Sequence, residues 1–256
     1  MLAAIIWGLV QGLTEFLPIS SSGHLVVVPA FLEQAGMDIT PPSLEVSAVL
    51  HLGTLIAVLV YFRSDVLRVL RFRSDTEGRR ILLLVAIGTI PAVLGLPLES
   101  TLDEFQQTVS NVGWTLMATG LILVVGQRLA RGARDLADGR IPDAIVVGVA
   151  QAFALIPGIS RSGITISAGN GRGLQPVEAA RFSFLLGIPA IAGAGATQLP
   201  DVIDAGLGAD LVVGLVVAAI SGYLAIAFLL AALRRTGLTP FAIYCLAVGL
   251  LTVLVF

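Results

Sequence analysis

The chain has 256 residues and a formal net charge of −2; 56% of its residues are hydrophobic and 12% are charged, about half the charged share of a soluble domain. With a mean hydropathy of +0.96 it has too few polar residues to coat a soluble fold. That excludes an ordinary soluble enzyme, a disordered chain and a nucleic-acid binder, and points to several membrane spans.

In chain order, residues 2–32 are apolar but interrupted by Gln11, Glu15 and the run Pro18-Ile19-Ser20-Ser21-Ser22-Gly23. Residues 44–62 are the first clean stretch of the length a crossing helix needs, about 20 residues. The connection after it carries Arg63, Arg68, Arg71, Arg73, Arg79 and Arg80. Stretches 81–98 and 112–130 flank a connection with Glu99, Asp103 and Glu104 and no basic residue. Arg128, Arg131, Arg134 and Arg140 fill the next connection. Residues 141–175 are again apolar and interrupted, by Gln151 and the run Pro157-Gly158-Ile159-Ser160-Arg161-Ser162-Gly163. Stretches 182–199, 211–233 and 240–256 complete the chain. Asp201, Asp204 and Asp210 lie between the first two, and Arg234 and Arg235 between the last two. All 15 basic residues are Arg, so lysine Schiff-base and P-loop lysine chemistry are excluded. The single cysteine, Cys245, excludes an intrachain disulfide and a Cys-based metal cluster, and reads as packing. Trp114, at a span start, fits an interfacial belt.

By the positive-inside rule the three Arg-bearing connections are cytoplasmic and the acidic ones lie outside. The six clean stretches then alternate in direction without conflict. Residues 141–181 must start and end inside, and residues 1–43 must end outside. Both interrupted regions are therefore expected to be re-entrant hairpins, one from each side, with both chain termini on the outer face. A signal peptide is disfavoured, because no basic region precedes Met1–Val10.

The two interrupted regions match each other. Gly8, Gln11, Ile19, Ser20, Ser22 and Gly23 recur as Gly148, Gln151, Ile159, Ser160, Ser162 and Gly163, each 140 residues on (148 − 8 = 163 − 23 = 140). Leu52-Gly53 recurs as Leu186-Gly187 at an offset of 134 (186 − 52). Each half holds one hairpin and three spans, and three is odd, so the second half is inverted relative to the first, as in transporters built from broken helices. The expected fold is an all-α polytopic membrane protein: one domain over 1–256, an inverted-topology repeat with halves 1–130 and 141–256, and six transmembrane helices plus two re-entrant helical hairpins.

The breaks carry the chemistry. Gln11 and Glu15 are four apart and share a helix face. Pro18 ends that helix, and Ser20–Ser22 cap the next, leaving free N–H groups and a positive dipole end suited to an anion. A charged group deep in a membrane helix costs roughly 2.5–3.5 kcal/mol on insertion scales, so Glu15 reads as functional, with His24 beside it. The second break repeats the caps with Ser160 and Ser162 and adds Arg161, a phosphate-binding arrangement. At the repeat positions of Glu15 and His24 stand Leu155 and Ile164, which carry neither acid–base nor nucleophilic chemistry. Plainer readings stand beside these. Glu15 and Arg161 can form a structural ion pair, and serines at helix breaks commonly just cap. His51 reads as a packed, hydrogen-bonded histidine, Glu45 as interfacial, Arg172 as lying near the inner surface, and Glu178 with Arg181 as a local pair.

The run Gln11-Gly-Leu-Thr-Glu15-Phe-Leu-Pro-Ile-Ser-Ser-Ser-Gly-His24 resembles a (Glu/Gln)-x-x-x-Glu motif with its Pro-x-Ser-Ser-x-Gly-His extension, and Pro157-Gly-Ile-Ser-Arg-Ser-Gly-Ile-Thr165 resembles Pro-Gly-x-Ser-Arg-Ser-x-x-Thr. Together they are similar to the undecaprenyl-pyrophosphate phosphatase family, also called the BacA bacitracin-resistance family; Glu45–Val58 and Ala180–Ala190 extend the likeness. Gln11 stands where many members have Glu. The resemblance implies a multi-pass protein of the bacterial inner membrane, with its active site open to the outer face. Its implied reaction is hydrolysis of undecaprenyl pyrophosphate to the monophosphate and inorganic phosphate, recycling the lipid carrier of cell-wall synthesis. A divalent cation, Mg or Ca, is implied too, with Glu15 and Gln11 the candidate ligands. Carried over position by position, the functional residues are Glu15, Ser21, His24, Ser160, Arg161, Ser162 and Thr165; Gln11, Ser20, Ser22, Gly23 and Gly163 complete the substrate-binding set. Arg161 and the N–H groups would hold the pyrophosphate, and Glu15 would activate Ser21 or a water. His24 would donate a proton or serve as an alternative nucleophile, and Ser21 and His24 are not ranked. The partners expected are a polyprenyl pyrophosphate lipid and membrane lipids, with a homodimer left open. A secondary transporter or lipid flippase is the competing class, on the strength of the inverted repeat.

Overall fold

The computed structural model describes residues 1–37, 39, 41–98, 108–205 and 208–256. Among these the regular structure is helical, apart from one isolated bridge between Arg134 and Leu174. Each of the six clean apolar stretches is a helix, because a segment in lipid must satisfy its own backbone polar groups. In chain order the helices are α1 (Leu2–Phe16), α2 (Ser21–Gln34), α3 (Leu44–Tyr61), α4 (Arg63–Leu70), α5 (Thr76–Gly95), α6 (Val109–Leu129), α7 (Ile141–Phe153), α8 (Arg161–Gly171), α9 (Pro176–Ala205), α10 (Ala209–Arg235) and α11 (Thr239–Val255). Four of them, α5, α6, α9 and α10, are long and apolar enough to cross a membrane, and a fifth span arises if α3 and α4, bent by 81°, count as one. The sixth expected span, α11, is an apolar helix of 17 residues. The expected acidic connection with Glu99, Asp103 and Glu104 lies outside the described residues. The helix α9 continues through Asp201 and Asp204 instead of ending before them.

The outside of the bundle is apolar. Leu83, Ile90, Leu121, Ile220 and Phe228 are each about half exposed or more, a surface that lipid solvates and water does not. The inside is packed on small residues. A Cβ at Gly8 of α1 would strike the Gly214 carbonyl and Val217 of α10; one at its repeat partner, Gly148 of α7, would strike the backbone of Gly88 in α5. The first helix of each half thus packs against a long helix of the other half, which interlocks the two.

The Arg-bearing connections meet at one end of the bundle. Arg80 Nε donates to the Gly139 carbonyl at 2.8 Å, and the Leu238 amide just past Arg235 donates to Gln127 Oε1 near the end of α6 at 2.6 Å. Arg181, expected as a local partner of Glu178, also reaches Asp65 and Glu77, so it ties α4, α5 and α9 together there. The Met1 amino group lies 2.9 Å from Asp210, at the start of α10. Phe31, late in α2, packs edge-on against Phe256 with 5.1 Å between ring centroids. In the second half, Arg172 at the end of α8 bonds Asp143 in the first turn of α7 at 2.8 Å. The start of α7 and the end of α8 therefore lie side by side.

Candidate active site

Both pairs of short helices, α1–α2 and α7–α8, break in the interior. In the first, Leu17 is extended (φ −64°, ψ 143°) as the residue before a proline must be, and it ends α1. Ser20 caps α2 by accepting from the Gly23 amide at 3.2 Å; Ser160 caps α8 by accepting from the Gly163 amide at 3.1 Å. In each break the capping hydroxyl also meets the serine two residues on, at 3.2 Å (Ser20 with Ser22, Ser160 with Ser162). The six-residue identity between the halves is thus one hydrogen-bond pattern used twice. The breaks touch: Ser162 Oγ donates to the Leu17 carbonyl at 3.2 Å, and the Gly158 amide points at Ser22 Oγ at 3.5 Å. The neighbouring α6 clamps the second break, with Thr115 donating to the Pro157 carbonyl at 2.7 Å and Thr119 to the Gly158 carbonyl at 2.9 Å.

Glu15 is the hub. Arg161 Nη2 donates to Glu15 Oε1 at 2.7 Å; Ser21 Oγ donates to Glu15 Oε2 at 2.7 Å, and Gln11 Nε2 to the same oxygen at 3.1 Å. His51 Nε2 lies 4.0 Å from that oxygen. His51 Nδ1 bonds the Ser47 carbonyl at 2.8 Å, which turns the Nε2 edge of the ring toward the carboxylate. These groups line a cavity of about 250 Å³ whose polar side is Glu15, Ser20–Ser22, His51, Ser160 and Arg161 and whose other wall is apolar, with Leu155 and Ile191. Arg161 reaches Glu15 because α9 carries no side chain at Gly187; a Cβ there would overlap the guanidinium. A guanidinium keeps several N–H donors beyond the one spent on Glu15. Ahead of the capped amides, the first-turn N–H groups of α2 and α8 are the orphan donors of a helix start. The site therefore offers an anion clamp beside a hydroxyl that is already hydrogen-bonded to a carboxylate.

The family model described as "Bacitracin resistance protein BacA" matches residues 4–251. The chain belongs to the BacA family. It is 42% identical to an undecaprenyl-diphosphatase of Halothermothrix orenii and 42% identical to one of Rubrobacter xylanophilus, in each case over 98% of this chain and 96% of the relative. A third relative, the undecaprenyl-diphosphatase of Thermomicrobium roseum, is 41% identical over the same shares.

Within this BacA chain the expected residues divide in two. Gln11, Glu15, Ser20, Ser21, Ser22, Ser160 and Arg161 gather at the cavity or directly on Glu15. Gly23, Ser162, Gly163 and Thr165 form the frame: Thr165 Oγ1 bonds the Arg161 carbonyl at 2.7 Å and Ser183 Oγ at 2.7 Å. The motif histidine His24 is not on the cavity wall. It is 4% exposed, its Nδ1 bonds the Ser20 carbonyl at 2.7 Å, and its Nε2 bonds the Tyr244 hydroxyl at 2.8 Å. Both ring nitrogens are thus engaged, by the Ser20 carbonyl and the Tyr244 hydroxyl. The histidine beside Glu15 is His51, whose place inside an apolar stretch points only to a packed, hydrogen-bonded ring. Its signal was the Leu52-Gly53 match to Leu186-Gly187, which marks the stretches of α3 and α9 that line the site. Thr115, Thr119 and Tyr244 carried no signal in the motifs. As ligands for a cation, Glu15 supplies a carboxylate, and Gln11 Oε1 is buried without a hydrogen-bond partner. Among the described residues no three His, Cys, Asp or Glu side chains converge. This oxygen-donor set fits a hard cation that arrives with phosphate ligands of its own.

Proposed function

We propose that the chain is an integral membrane phosphatase that hydrolyses undecaprenyl pyrophosphate to undecaprenyl phosphate and inorganic phosphate. That reaction recycles the lipid carrier of cell-wall synthesis and underlies bacitracin resistance. The observation that carries this reading is the Ser21–Glu15–Arg161 cluster at the junction of two helix starts. Arg161 and the first-turn amides hold the terminal phosphoryl group and offset the charge that develops on it. Glu15 Oε2 takes the proton of Ser21, and Ser21 Oγ attacks the terminal phosphorus. The bond from that phosphorus to the bridging oxygen breaks, and undecaprenyl phosphate leaves with the electron pair. The proton held by Glu15 passes to the leaving phosphate or to solvent. Glu15 then takes a proton from a water that attacks the phosphoserine; inorganic phosphate departs, and Ser21 regains its proton. A divalent cation on the diphosphate, Mg²⁺ or Ca²⁺, would be held by Glu15 and Gln11 and would neutralise phosphate charge. The apolar wall at Leu155 and Ile191 suits the isoprenoid chain next to the headgroup.

The topology that serves this reading is the inverted repeat of six spans with re-entrant hairpins α1–α2 and α7–α8, in the bacterial inner membrane with the site open to the outer face. It is supported by the Arg-rich connections sharing one end, and by the bond from Arg172 back to Asp143. The test is phosphate release from undecaprenyl pyrophosphate by protein purified in detergent. Glu15→Gln and Arg161→Ala are each expected to lower turnover by at least about 10²-fold, the scale of losing a charge-stabilising or proton-accepting group. Wild-type turnover in both, or lipid flux in proteoliposomes without phosphate release, would leave the transporter class standing instead.

A further inference from the structure

Ser20 stands apart from the rest of the backbone. Its φ of 72° and ψ of 105° make it the one non-glycine residue with positive φ among the described residues. A side chain held there costs on the order of 1–3 kcal/mol and persists only where surrounding structure over-determines it. Its repeat partner Ser160 makes the same capping bonds from an ordinary backbone (φ −73°, ψ 116°). The strain is thus not needed for capping. It occurs only in the half where the next residue is Ser21, whose hydroxyl must swing back onto Glu15, six residues earlier.

Two bonds hold the Ser20 carbonyl. The His24 backbone amide donates to it at 3.2 Å, and His24 Nδ1–H donates at 2.7 Å. Because Nδ1 faces a carbonyl, it carries the proton. In the neutral ring Nε2 therefore holds the lone pair, and the Tyr244 hydroxyl of α11 donates to it at 2.8 Å. The rings are nearly parallel, 9° apart with centroids at 5.6 Å. Tyr244 thus fixes both the tautomer and the plane of the ring. The repeat partner of His24 is Ile164, so the unstrained break has no such lock. One residue along in α11, Cys245 Sγ approaches the Pro18 carbonyl at 3.7 Å, from the same helix to the same break.

We infer that Tyr244 and His24 are positioning residues: they hold the strained Ser20 peptide so that the Ser21 hydroxyl points at Glu15. The inference rests on the reading of Ser21 as nucleophile. It assigns to the motif histidine a role in geometry, with no proton transferred by its ring. His24→Asn separates the two roles, since an Asn amide at this position can donate to the same carbonyl four residues back but cannot act as an acid or base. The experiment measures kcat, KM and the pH profile of kcat for phosphate release by detergent-purified wild type, Tyr244→Phe, His24→Asn, His24→Ala and Ser21→Ala. Thermal unfolding accompanies each to confirm a folded sample. The expected results are a fall in kcat of about fivefold for Tyr244→Phe, for one lost hydrogen bond, and of about 100-fold for His24→Ala, for a displaced nucleophile. His24→Asn is expected to recover to within about fivefold of wild type, with an unshifted pH profile and KM little changed. His24→Asn as inactive as His24→Ala, or with an altered pH profile, overturns the inference while Ser21→Ala remains inactive. Wild-type turnover in Ser21→Ala refutes the nucleophile reading itself, a separate outcome.

Discussion

Replacing Gly187 with Ala puts a methyl group where the Arg161 guanidinium lies. The obstacle is the far end of a flexible side chain rather than backbone, so the fold absorbs the change by moving Arg161. The movement breaks the 2.7 Å bond to Glu15 Oε1 and withdraws the clamp from the phosphoryl group. A hydrogen bond to a charged partner contributes about 1.5–3 kcal/mol. At 1.36 kcal/mol per factor of ten, turnover is expected to fall about 10- to 150-fold. Helix propensity works the other way, since Ala in place of a mid-helix Gly stabilises by up to about 1 kcal/mol. Gly193, six residues on in the same helix, has nothing within 4 Å of its would-be Cβ. Gly193→Ala is therefore the matched control, expected to keep wild-type activity. The assay is phosphate release in detergent, alongside thermal unfolding. Wild-type turnover in Gly187→Ala, or an equal loss in Gly193→Ala, would refute the steric reasoning.

Other outcomes follow from the same structure. Arg181→Met strands Asp65, Glu77 and Glu178 together. Breaking a buried pair costs about 3–5 kcal/mol, and partial exposure of Glu77 and Glu178 lowers that to about 2 kcal/mol. The thermal midpoint is expected to drop while KM stays unchanged in the molecules that remain folded. His51→Ala removes the ring facing Glu15 Oε2 and is expected to lower kcat by about tenfold, less than the about 10²-fold of Glu15→Gln; equal activity to wild type would show that the ring contributes nothing to turnover. A chelator is expected to abolish phosphate release, with recovery on adding Mg²⁺ or Ca²⁺. Cysteines placed at Asp210 and Ser74 are expected to react with a membrane-impermeant reagent from opposite sides, Asp210→Cys from outside; labelling of both from one side would contradict the topology.

The helical framework was legible in the sequence because lipid leaves a segment only one way to satisfy its backbone. Each apolar stretch had to be a helix, and the Pro and Ser runs had to break two of them. The doubled break was legible because Ser20/Ser160 and Gly23/Gly163 make the same capping bond, and that geometry requires those residue types. Proximity between distant elements was not legible. His24 follows Ser20 by four residues, so a motif places it at the site, yet its ring points back along α2 to a carbonyl and out to Tyr244. His51 faces Glu15 only because α3 packs where it does. Arg181 resembled a local partner of Glu178, because its bonds to Asp65 and Glu77 depend on how α4 and α5 pack against α9.

The most direct test uses undecaprenyl pyrophosphate and purified protein in water enriched in ¹⁸O, with phosphorus NMR of both products. Attack at the terminal phosphorus, with Ser21 as nucleophile and water resolving the phosphoserine, is expected to place the label in inorganic phosphate and none in undecaprenyl phosphate. Turnover is expected to vanish in Ser21→Ala. Label in the lipid phosphate, or full turnover without the Ser21 hydroxyl, would contradict it.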